Sequence, residues 1–233
     1  MKLQLQRASR RKYLMLTITL LFLVVCHPIL TSAAAAEEPL QAVKRGIEEG
    51  IRILQDPLYK SGHLSDVQRQ KLWHILQDHF DFGAFSRLVL AANWKQFSLQ
   101  ERQEFTTVFA KFIGDFYLSK LQQKYRGEQV RYLGEELISK KTAVVRLTVL
   151  WKGVNVPIEV RMLKKGHAWK AYDATALGVS GALLYRMQFK YYLLSHTPAQ
   201  AIALLKKKKE TLEKKLSQAP GSRAARLSVK SGW

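Results

Sequence analysis

Sulfur chemistry is nearly absent from this chain. One of its 233 residues is cysteine, Cys26, and it lies in a leading segment expected to be removed on export. The remainder then has no disulfide, no cysteine nucleophile and no thiolate metal site. Other signatures are missing too. There is no phosphate-binding loop and no dinucleotide fingerprint. His63, His74 and His79 are not at metal spacing, because His74 and His79 are five apart and do not stack on one helix face. Gly178-Val179-Ser180-Gly181-Ala182 has the outline of a nucleophile elbow but lacks its last glycine, and only His196 follows as a base. Asp173, the one acid in an apolar setting, is expected to cap the turn after it. These absences argue against an enzyme. No internal repeat or dividing linker is visible, and the length suits one medium domain.

Long apolar runs are also missing. Leu14 to Val25 is the longest candidate, short of the roughly 18 to 20 residues a span needs. It follows an acid-free basic stretch (Lys2, Arg7, Arg10, Arg11, Lys12) and precedes the small residues Thr31 to Ala36. That order is a secretory signal peptide, residues 1–36, cleaved near Ala34 to Ala36. Valines precede Cys26 where a lipoprotein signal would have small residues.

Acid is scarce: 18 Asp and Glu stand against 38 Lys and Arg, a formal charge of +20. Removal of the signal leaves +15. For an exported chain this points away from nucleic acid. It fits a solvated helix face together with transient contact with an anionic membrane surface.

What is present is strong periodicity. Leu40, Val43, Ile47, Ile51 and Leu54 recur at helical spacing from Pro39 to Gln55, and Asp56-Pro57 ends that helix. Ser65 or Asp66 is placed to cap a second, with Leu72, Ile75, Leu76, His79 and Phe80 on one side. Phe82 to Ala92, with Phe85, is a short apolar third. Ser98 to Glu101 is a capping box opening a long helix to about Gln123. Its stripe of Phe105, Phe109, Phe112, Phe116 and Tyr117 either fills a core or lines a pocket. A helix expected from Ala176 to Leu194 sets Val179, Leu183 and Met187 on one side. Thr197 to Gln200 is a second capping box, before a lysine-rich last helix. Residues 218–233 read as a disordered basic tail, leaving 37–217 as the folded domain.

Between the helices lies a sheet. Thr142 to Trp151 and Val154 to Met162 alternate apolar and polar residues around Lys152-Gly153, and a third strand runs through Trp169, Ala171 and Asp173. An irregular strand from Arg126 to Leu137 makes about four. Pro157 cannot donate to a ladder, so its nitrogen should face an edge or a bulge. The apolar row holds Val145, Leu147, Val149 and Trp151 on one strand, Val156, Ile158 and Val160 on the next, and Trp169. It either packs a core or forms one wall of a cleft. The fold class is α+β, a helical layer against an antiparallel sheet.

Three stretches carry a resemblance. They are Phe80-Asp81-Phe82 leading to Trp94-Lys95; Ser98 to Glu101 with Gln103 and Phe105; and Trp169-Lys170-Ala171-Tyr172-Asp173 followed by Gly178-Val179-Ser180. In this order, from about Pro39 to Lys208, the chain resembles the MlaC/toluene-tolerance family of periplasmic phospholipid-binding proteins. Ala91-Ala92 stands where the family often has leucine-glycine, and the basic tail is longer than the family requires. The resemblance implies a nuclear-transport-factor-like fold with a curved sheet and acyl chains buried between its layers. It implies a periplasmic, non-enzymatic lipid carrier without cofactor. Its partners would be an inner-membrane ABC-transporter complex and an outer-membrane lipoprotein, serving outer-membrane lipid asymmetry. The candidate lining is then Phe82, Phe85, the aromatic stripe, the sheet row, Val179, Leu183 and Met187. A hopanoid-associated branch makes a hopanoid-like ligand an alternative, as is a ligand-free interaction or adaptor protein.

Overall fold

The first helix, α1 (Pro39–Gln55), has the expected bounds. Proline sits at its first turn, where a missing N–H is no loss. It ends at Asp56, whose carboxylate accepts from the Leu58 N–H at 2.9 Å. The computed structural model describes residues 37–60, 62 and 64–218. The signal segment with Cys26, His63 and the tail from 219 onward lie outside the described residues. The described residues belong to one compact unit.

A second helix, α2 (Ser65–His79), starts without a side-chain cap; its Asp66 pairs with Arg69 instead. Next, α3 (Phe82–Leu90) is capped by Asp81, which accepts from the Ala84 N–H at 3.0 Å. It gives way at Ala91, where φ is +49°, to a 3-10 turn over Ala91–Gln96, so it stops short of the expected Ala92. The Ser98–Glu101 capping box is formed in both directions and opens α4 (Leu99–Lys124).

Five antiparallel strands follow in sequential order: β1 (Val130–Ser139), β2 (Thr142–Trp151), β3 (Val154–Lys165), β4 (Ala168–Ala176) and the two-residue β5 (Val179–Ser180). Val145 lies opposite Val160, Leu147 opposite Ile158 and Val149 opposite Val156, so the apolar row shares one face. Register shifts between Tyr132 and Gly134 and beside Arg161–Met162 bend the strands. Pro157 sits where β4 has run out, since β3–β4 pairing begins at Ile158. Its carbonyl accepts from the Leu177 N–H, and its nitrogen faces the same side, where no ladder partner is needed.

The chain closes with α5 (Gly181–Tyr192) and α6 (Pro198–Gln218). The helix expected from Ala176 begins five residues later, because β4 continues to Ala176 and turns through Leu177-Gly178 into β5. The second capping box is formed: Thr197 N–H donates to Gln200 Oε1 (2.8 Å), and Gln200 N–H to Thr197 Oγ1 (3.3 Å).

Two apolar clusters result. One is helical, built from α3 to α6 around Phe85, Phe105, Phe109 and Phe189. The other sets α1, through Ala42 and Val43, on the sheet residues Val145, Leu147, Met162 and Trp169. Where α2 crosses α4, Gly114 admits the Trp73 ring. An added Cβ would stand 2.2 Å from Trp73 Cζ3. Gly114→Ala gains about 1 kcal/mol of helix propensity but overpacks a rigid ring at a cost of about 1–3 kcal/mol. The expected net is a lower melting temperature, read by circular dichroism.

Asp81 ties the helices to the sheet. Its N–H donates to Ala171 O at 2.7 Å, and its carboxylate pairs with Lys165 Nζ at 2.5 Å. Burial pushes its pKa up, but the Lys165 ammonium and the Ala84 and Gly83 N–H groups outweigh that and hold it below the ordinary 3.8. A depressed carboxylate stabilises above its unfolded value, and that contribution is lost as pH falls through the folded value. The stability deficit of Lys165→Met should therefore be full at neutral pH. It should vanish only below 3.8, as Asp81 protonates and has no charge left to pair. Urea midpoints across that range test this.

Candidate functional site

Between α1, α2 and the sheet lies a cavity of about 520 Å³, within the range of specific small-molecule sites. The face of α1 contributes Val43, Ile47, Ile51 and Leu54, that of α2 contributes Leu72, Ile75 and Leu76, and Phe80 follows just after α2. The sheet supplies Val130, Val149, Trp151, Val160, Met162 and Ala171. The end of α4 and the following turn add Leu118, Leu121, Tyr125 and Glu128. From Ala42 to Leu54 the lining follows α1 for roughly 18 Å at 1.5 Å per residue.

The two ends differ. Ala42 and Met162 are buried at one. At the other Leu121 is 41 % exposed, and the polar groups gather: Gln55 Nε2 donates to Tyr125 Oη at 2.9 Å, and the Arg126 N–H to Glu128 Oε2 at 2.9 Å. His79 is the other polar lining residue. Its Nε2 lies 3.5 Å from Glu49 Oε2, with its ring against Gly46, where a Cβ would come within 2.8 Å of Cγ. Gly50, one turn on, has only Leu72 Cδ2 at 4.0 Å from its added Cβ. Gly46 is thus a close approach between helices, whereas Gly50 leaves room inside the cavity.

The candidate residues divide by location. Val149, Trp151 and Val160 line the cavity. Val145, Leu147 and Trp169 are buried in the cluster beside it, with Ile158 partly buried against them; Val156 is half-buried opposite Val149. Phe82 stacks at a tilt on Phe80 and Trp73 at the cavity's edge. Phe85, Phe105 and Phe109 lie in the helical cluster, and Phe112 packs on it. Phe112 and Phe116 also floor a separate groove against α6. Tyr117 is exposed and hydrogen-bonded to Tyr185, whose hydroxyl is pushed up by burial and then by that bond. Val179, Leu183 and Met187 are exposed. The aromatic stripe therefore does not face the sheet; α1 and α2 do. The sequence signal for this lining lies in α1, where Gly46 and Gly50 thin an otherwise apolar face.

Ser180 and Asp173 make a structural unit. Asp173 is fully buried and accepts from Ser180 Oγ at 2.7 Å and from the Ala182 N–H at 3.0 Å. Ser180 Oγ accepts in turn from the Leu183 N–H at 3.2 Å. The hydroxyl is spent on capping α5. Among the described residues no group of three His, Cys, Asp or Glu side chains is placed to hold a metal ion, and no helix is long and apolar enough to cross a membrane.

An elongated apolar cavity between a helical layer and an open antiparallel sheet, with its polar groups mainly at one rim, defines an α+β protein built around an internal cleft. The chain belongs to the MlaC family: the family described as MlaC protein matches residues 44–207. Its fold is similar to that of a phospholipid-binding protein from Ralstonia solanacearum, solved in complex with a phospholipid. The TM-score is 0.67 and the identity 22 %, covering 76 % of this chain and 99 % of that one. No curated protein matches the sequence.

Proposed function

We propose that this protein is a periplasmic phospholipid carrier whose cavity between α1, α2 and the sheet holds acyl chains. It shuttles lipid between the inner and outer membranes with an ABC-transporter complex and an outer-membrane lipoprotein. The observation that carries this reading is the cavity itself: elongated, hydrocarbon-lined and polar mainly at its rim. Family membership and the phospholipid in the Ralstonia protein support it. The headgroup sits at the rim, where the exposed cations Arg52, Arg126 and Lys152 adjoin lining residues in the chain.

The energetics suit a carrier. About 30 acyl methylenes shielded at roughly 0.8 kcal/mol each amount to about 24 kcal/mol. A bilayer shields the same groups equally well, so exchange with a membrane is near neutral. The protein lowers the cost of crossing water, and partners supply direction by favouring one of its states.

The test is uptake of labelled phospholipid from vesicles. Wild type takes lipid. Val149→Asp stays folded and loses about tenfold or more in affinity, because a carboxyl group without a partner in an apolar lining costs more than the about 1–3 kcal/mol of an unpaired neutral polar group. Wild type that takes up no lipid contradicts the proposal.

A further inference from the structure

A second concave site lies on a different side of α4 from the cavity. It is a groove of about 380 Å³ between α4 and α6. Its floor is apolar: Phe112 and Phe116, stacked with centroids 6.3 Å apart, with Leu204 and Leu212 from α6. Its rim is Lys207, Lys208 and Lys215, and no acid lines it. Lys120 adds a fourth ammonium, 4.3 Å from the Phe116 ring centroid.

The lysines of α6 are used unequally. Lys206 pairs with Glu104, and Lys209 with Glu213. Lys207, Lys208 and Lys215 are exposed and have no side-chain partner among the described residues. Their apolar stems line the groove while the ammonium heads reach outward. Beyond α6 the sequence adds Arg223, Arg226 and Lys230 and no acid.

We propose that this groove docks the protein on the surface of an anionic lipid bilayer, headgroups against the lysines and the Phe112–Phe116 floor toward the interfacial layer. Residue choice decides for lipid over a protein partner. Protein interfaces are enriched in arginine and depleted in lysine, and arginine's fork suits a fixed carboxylate. This rim is all lysine: flexible point charges suited to a mobile sheet of anionic headgroups. The docking face does not depend on lipid occupying the cavity.

The experiment is co-sedimentation of the secreted protein with vesicles at low salt. Wild type should sediment with equimolar phosphatidylcholine and phosphatidylglycerol, remain in solution with phosphatidylcholine alone, and be released by salt. The triple variant Lys207→Gln, Lys208→Gln, Lys215→Gln should bind roughly a hundredfold more weakly, at about fivefold per charge. It should retain its melting temperature and its cavity lipid. Lys60→Gln, Lys140→Gln, Lys141→Gln removes the same charge elsewhere and should stay much nearer wild type. Equal losses in the two triple variants, or a groove variant that sediments like wild type, overturn the proposal. Wild type that ignores anionic vesicles also overturns it and leaves the groove to a protein partner.

Discussion

Gly50→Phe should yield a protein that folds as well as wild type or better and no longer carries lipid. Gly50 lies on the cavity face of α1, and its added Cβ would have a single neighbour, Leu72 Cδ2 at 4.0 Å. A larger side chain grows into the cavity instead of into packed atoms. Replacing an interior helical glycine by phenylalanine also recovers a few tenths of a kcal/mol, up to about 0.5, of helix propensity. Position 50 is roughly 6 Å from the Leu54 end and 12 Å from the Ala42 end, at 1.5 Å per residue. A phenyl ring there cuts off most of the cavity's length. Displacing even three methylenes, at about 0.8 kcal/mol each, lowers affinity roughly fiftyfold. Thermal melts and lipid uptake, measured on one preparation, should move in opposite directions. If Gly50→Phe loads lipid as wild type does, the acyl chains lie somewhere other than along α1.

Asp173→Ala should be strongly destabilising, by clearly more than Ser180→Ala. Asp173 is 0 % exposed, receives Ser180 Oγ and the Ala182 N–H, and has Arg161 Nη1 at 3.9 Å. It joins the end of the sheet to the start of α5, where the helix N-terminus favours a negative charge. Alanine leaves a buried N–H unpaired and Arg161 without its counter-charge. Leaving the buried N–H without its charged acceptor costs about 1–3 kcal/mol or more, while Arg161, 48 % exposed, stays solvated and adds little; the loss is a large share of the about 5–15 kcal/mol that stabilises a domain. Ser180→Ala removes one bond and one cap, and should cost about 1 kcal/mol. Urea unfolding of the two variants separates these values. An Asp173→Ala protein as stable as Ser180→Ala would mean that the carboxylate is not the fastener described.

Much of the fold is readable from local chemistry. The bounds of α1 follow from a proline at one end and Asp56-Pro57 at the other, and both capping boxes form the hydrogen bonds their spacing implies. The Lys152-Gly153 turn takes positive φ at both residues, as a two-residue hairpin requires. The hairpin at Leu177-Gly178 uses the same geometry, with φ of +52° and +78°. Leucine is a poor marker for such a turn, so the periodicity around it reads as an early start to α5.

The cavity was half legible. Alternation on β2 and β3 identifies an apolar face, and Val149, Trp151 and Val160 of that face line it. What periodicity cannot reveal is which helix covers a sheet. The aromatic stripe of α4 was the richer surface, yet its rings pack on α3, α5 and α6. Only the far end of α4, at Leu118 and Leu121, reaches the cavity. Aromatic area fills helical cores as readily as it lines pockets. The better sign was the pair of glycines on α1, costly in a helix unless close packing or open space requires them.

Non-denaturing mass spectrometry of the protein reads a bound lipid by its own mass. The expected species is a complex heavier than the polypeptide by the mass of a phospholipid. That extra mass should be lost on denaturation and depleted in Gly50→Phe. A wild-type protein that carries only its polypeptide mass, and still does so after incubation with phospholipid vesicles, would contradict the proposed lipid-filled cavity.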